Sequence, residues 1–164
     1  MGLTTLGIIH TAISLVAVFA GIFAFIRDRQ IITGNTVGQI YLWCTVLTCL
    51  TGFGIFQHGG FGAPHALGII TLVVLLIAWG AGTRGWFGKS GKLVEVVSYS
   101  VTFFFHMIPA ITETTTRLPA GNPLVKDREG PELQAAAGVC LVLLLIGVVL
   151  QVRRLRRRTL PGVR

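Results

Sequence analysis

The chain has 164 residues, of which 52% are hydrophobic and only 12% charged, with a formal net charge of +8 and a mean hydropathy of +0.76. This composition excludes an ordinary soluble domain and marks an integral membrane protein. The positive charge does not argue for nucleic acid, because six of the arginines follow residue 152, where a topology determinant touching anionic lipid headgroups is expected.

A bilayer core takes about 20 mostly apolar residues per helix, and five stretches meet that need: about 3–26, 36–57, 64–83, 93–116 and 131–152. The expected fold is all-α, one integral membrane bundle of five transmembrane helices spanning residues 1–164. The longest polar piece, RLPAGNPLVKDREGP at 117–131, is too short to bury a core of its own. The start, MGLTTLG, has no basic residues ahead of its apolar run, so the first stretch reads as a retained helix.

Within the first helix Gly7, His10, Ser14, Ala17, Gly21 and Ala24 recur at alternating steps of three and four, a narrow seam that should face another helix and turn His10 into the bundle. The second helix repeats the pattern with Gly38, Tyr41, Thr45, Thr48 and Gly52. Between the second and third helices lies FQHGGFGAPH, which holds His58 and His65; Pro64 reads as a first helical residue, so His65 stands near a helix N-terminus. There the macrodipole disfavours imidazolium, and a neutral ring keeps a lone pair for a metal. The fourth helix places Glu95, Thr102, His106 and Glu113 at spacings of 7, 4 and 7 on one face, with Pro109 three residues after His106.

Arg27 and Arg29, then Arg84, Lys89 and Lys92, then the six arginines of the tail put eleven of the fourteen basic residues on one side. That side should be cytoplasmic, with the N-terminus outside and the C-terminus inside the cell's inner membrane. All four histidines, His10, His58, His65 and His106, then fall at the outer side. Imidazole is the commonest metal ligand, and ionisable residues inside spans are candidate functional groups. A b-type haem would use His10 and His106 on facing helices. A transition metal ion would draw on His10, His58, His65, His106 and Glu113. Cys44, Cys49 and Cys140 fall in apolar spans without CxxC spacing, and no HExxH, CxxCH, P-loop or Ser-His-Asp set can be read.

Residues 8–85 carry a His on helix one, a basic hairpin and a Gly-x-x-Tyr-x-Trp start to helix two, here His10, Arg27, Arg29, Gly38, Tyr41 and Trp43. In these features the chain resembles small predicted bacterial multi-pass membrane proteins of unknown function, although Asn35-Thr36 stands where they have a basic-His pair. The resemblance implies a helical bundle and no particular activity. Three readings follow: a redox protein holding haem b or a transition metal, a non-enzymatic accessory or assembly subunit of a larger membrane complex or homo-oligomer, and a small proton-coupled transporter using Glu95, His106 and Glu113. Whether the protein is an enzyme is left open.

Overall fold

The structure, a computed structural model, describes residues 4–55, 60–119, 122–127 and 130–159. Among these it contains α1 (Thr5–Asp28), α2 (Thr36–Gly52), α3 (Ala63–Thr83), a 3-10 turn (Gly88–Ser90), α4 (Gly91–Arg117) and α5 (Pro131–Thr159), and no strand. Four segments, Thr5–Asp28, Ala63–Thr83, Gly88–Arg117 and Pro131–Arg157, are long and apolar enough to cross a membrane. The chain divides into two compact units, residues 1–102 and 103–164, so α4 begins in the first and ends in the second.

α2 is shorter than the apolar stretch 36–57 suggested. It ends at Gly52 after 17 residues, a length of about 25 Å against a hydrocarbon core of about 30 Å. Beyond it the backbone turns, with the Gly54 N–H bonded to the Thr51 carbonyl (3.2 Å) and the Ile55 N–H to that of Gly52 (3.0 Å). Hydropathy stays high through this region, but two glycines in three positions weaken the helix where it must continue.

In the first unit, α1 and α2 pack through their small faces. Gly7, Ala17, Gly21 and Ala24 are buried on α1, and Gly38, Tyr41, Thr45 and Thr48 on α2, while Ile8, Phe19, Phe23 and Ile26 point outward. Close approach of backbones, with large apolar side chains left for lipid, is how helices associate in a bilayer. Both N-termini are capped: Thr4 accepts the Gly7 N–H at 3.1 Å and Asn35 accepts the Gly38 N–H at 2.8 Å.

The α1–α2 connection turns inward. Arg29, in the left-handed region (φ 61°), closes α1 through its N–H to the Phe25 carbonyl. Ile31 is then fully buried and Thr33 is 3% exposed. Asp28 accepts from Asn35 Nδ2 at 3.0 Å, which ties the two ends of the connection together. Gly38 is required here, since a Cβ at that position would collide with the Ile32 carbonyl.

In the second unit, α4 continues through Pro109 to Arg117. Thr112, Thr115 and Thr116 turn their hydroxyls back to the carbonyls of Ile108, Ile111 and Thr112, which satisfies them within the helix. α5 buries little of itself: Val139, Leu143, Leu145, Ile146 and Leu150 are all more than half exposed, a surface suited to lipid.

Candidate functional site

The densest polar cluster among the described residues gathers on Glu95, one turn into α4. Its side chain is buried, at 3% exposure. A carboxylate out of water is costly unless it is paired and hydrogen-bonded, and both conditions are met. Oε1 accepts the Thr33 backbone N–H at 2.7 Å, and Oε2 accepts from Lys92 Nζ at 2.9 Å. Lys92 is half exposed, so its stem runs along the outside while its ammonium reaches in to the acid. The carboxylate lies so close to α3 that a Cβ on Gly82 would strike it.

From Glu95 the polar groups continue along the first unit. The Thr33 hydroxyl meets the Tyr99 hydroxyl at 2.9 Å, and the Thr33 carbonyl accepts from Gln39 Nε2 at 2.7 Å. Thr33 thus joins its connection to α4 and α2 with every polar group it has. One turn further on, Thr102 Oγ1 donates to the Tyr99 carbonyl at 2.9 Å. Its one proton is used there, so the Tyr41 hydroxyl, 2.9 Å away, donates to it. Tyr41 and Tyr99 are fully buried and meet edge to face, with ring centroids 6.0 Å apart. Glu95, Tyr99, Thr102 and His106, at steps of 4, 3 and 4 along α4, are all buried.

The histidines take separate roles. His10 is partly buried on α1 against α2, its Nδ1 3.1 Å from Thr51 Oγ1 and its ring beside Gly52. Thr51 Oγ1 also lies 2.8 Å from the Leu47 carbonyl, so with its proton on that carbonyl the hydroxyl accepts from His10 Nδ1–H. His65 is buried at the third position of α3, where Nδ1 accepts the Gly62 N–H at 3.3 Å and Phe61 stacks on the ring. Its Nδ1 lone pair therefore caps a helix. His106, in the second unit, is buried at 6% exposure. Glu113 is ion-paired with Arg117 and 42% exposed. His58 lies outside the described residues.

His10 and His106, the expected haem pair, belong to different units. Among the described residues no group of three His, Cys, Asp or Glu stands together in a way that could hold a metal ion. Of the residues that matter at Glu95, the fourth-helix stripe named Glu95 and Thr102 and passed over Tyr99, which a step of four from Glu95 would have found. Thr33 and Gln39 carry no periodic signal. No family model, curated protein or solved structure matches the chain.

Proposed function

We propose that the protein is a small proton-coupled carrier of the cytoplasmic membrane, with Glu95 as the acid that takes the coupling proton. The observation behind this reading is the buried Glu95 carboxylate, held between the Lys92 ammonium and the Thr33 N–H in a helix apolar enough to span the bilayer. In the orientation with the N-terminus outside, Glu95 sits at the cytoplasmic end beside the basic loops. A proton taken up at Oε2 neutralises the acid and releases Lys92 from its ion pair; the Thr33 N–H bond to Oε1 weakens, while the Thr33 hydroxyl keeps its contact with Tyr99. The hydroxyls of Thr33, Tyr99, Thr102 and Tyr41 extend the polar path inward, with His106 as the next ionisable group along α4.

The test is proton flux into vesicles of phosphatidylcholine loaded with a pH-sensitive dye. Wild-type protein should acidify the lumen under an imposed gradient, and Glu95→Gln should reduce the rate to that of empty vesicles. If wild-type vesicles are no leakier than empty ones, with or without candidate substrates outside, the carrier reading fails and a non-enzymatic accessory subunit takes its place.

A second reading, a redox protein holding b-type haem or a transition metal, draws on His10, whose Nδ1 is held by the Thr51 hydroxyl in the way that a hydrogen bond to one ring nitrogen orients a ligating histidine. A Soret band in protein expressed with haem supplied, lost in His106→Ala and kept in His65→Ala, would favour it. A colourless, metal-free wild type would dismiss it.

A further inference from the structure

We infer that the end of α5 is a binding surface for anionic phospholipid headgroups, independently of what α4 does. α5 runs for 29 residues, Pro131–Thr159, about 43 Å at 1.5 Å per residue, whereas the hydrocarbon core is about 30 Å thick. If Glu132 marks one boundary, some 20 residues cross the core, and the helix leaves it near Val152. Arg153, Arg154, Arg156 and Arg157 then stand in the first 10 Å or so beyond the hydrocarbon, the level of the lipid phosphates.

The register around the axis supports the same occupant. At about 100° per residue these four positions fan over nearly half the circumference, with Leu155 on the other side. Arg153, Arg156 and Arg157 are exposed and Arg154 is half-buried. A fan at one depth suits several headgroups packed around an upright helix, and the planar guanidinium fork matches phosphate oxygens. A helix lying flat on the surface would instead need a long apolar face beside a long basic one.

Acids elsewhere answer the cations near them: Arg27 pairs with Asp28 at 2.6 Å, Lys92 with Glu95 at 2.9 Å and Arg117 with Glu113. After Glu132 the sequence contains no Asp or Glu at all. The exposed Arg153 and Arg157 therefore bring positive charge to the end of a segment that carries no carboxylate.

The experiment uses the full chain in nanodiscs of phosphatidylcholine mixed with phosphatidylglycerol, released into mild detergent and weighed intact by native mass spectrometry. Wild type should retain phosphatidylglycerol in preference to phosphatidylcholine. The Arg153→Gln/Arg157→Gln double variant should lose about tenfold or more of that preference, in keeping with the contribution of each basic residue at an anionic surface. Arg117→Gln, at the other end of the second unit, should leave it unchanged, and circular dichroism should show equal helix content in all three. Added inorganic phosphate should not displace the lipid, and added salt should weaken it. An unaltered preference in the double variant, no preference in wild type, displacement by free phosphate, or retention of RNA in place of lipid would each overturn the proposal.

Discussion

The α1–α2 connection and the end of α5 both hold arginines beside an apolar helix, yet they treat charge in opposite ways. Around the connection, Arg27 is matched by Asp28, Lys92 by Glu95, and the backbone N–H of Thr33 goes to the same carboxylate. Ile31 and Thr33 are buried, and the segment behaves as part of the core. The α5 end has five arginines over the six positions 153–158 and no acid on its own segment. The contrast teaches that acids stand beside only some of the basic residues: Arg27 and Lys92 each have a carboxylate within reach, and the arginines after residue 152 have none on their own segment.

The sharpest way to break the closed region is Gly38→Val, because its side chain would be driven into the Ile32 carbonyl, and backbone cannot step aside as a side chain can. A loss of about 3 kcal/mol or more is expected, read as early unfolding in an SDS titration of mixed micelles. Glu95→Leu comes next. It removes the acceptor of a buried N–H, a change that costs about 1–3 kcal/mol, whereas Glu95→Gln keeps an acceptor for Thr33 and loses only the pairing with Lys92. The same titration should rank Leu well below Gln, and equal midpoints would mean that the Thr33 bond contributes nothing.

Thr51→Val should cost about 0.6 kcal/mol, the mean for a hydrogen bond between membrane helices, since it deletes the partner of His10 Nδ1. Glu113→Gln should have the smallest effect, below about 0.5 kcal/mol. Its pairing with Arg117 joins two side chains that are each more than a third exposed or close to it, on adjacent turns of one helix. A large effect there would mean that the second unit also closes its charges inside, and the comparison would lose its edge.

The sequence made the helix seams legible because small and polar residues at steps of three and four have one physical use in lipid. Gly7, Ala17, Gly21 and Ala24, and Gly38, Tyr41, Thr45 and Thr48, lie buried as their spacing indicated. Glu95, Thr102 and His106 were legible in the same way. The end of α2 was not, because hydropathy measures fitness for lipid and carries no information on where Gly52 and Gly54 let the backbone turn. The inward tuck of Ile31 and Thr33 was hidden for another reason: a connection has no period, and its burial depends on an acid 62 positions away. Lys92 read as a topology charge, and only its pairing with Glu95 shows its second role.

The bond between the Thr33 N–H and Glu95 ties the α1–α2 connection to α4, and amide hydrogen exchange reads that bond directly. In full-length protein in micelles, followed by mass spectrometry of a peptide containing Thr33, the Thr33 amide should exchange as slowly as those inside α2. In Glu95→Leu it should exchange at least tenfold faster, while the amides of α5 keep their rates. Fast exchange of Thr33 in the wild type, or a rate unmoved by Glu95→Leu, would contradict the claim that Glu95 holds the α1–α2 connection to α4.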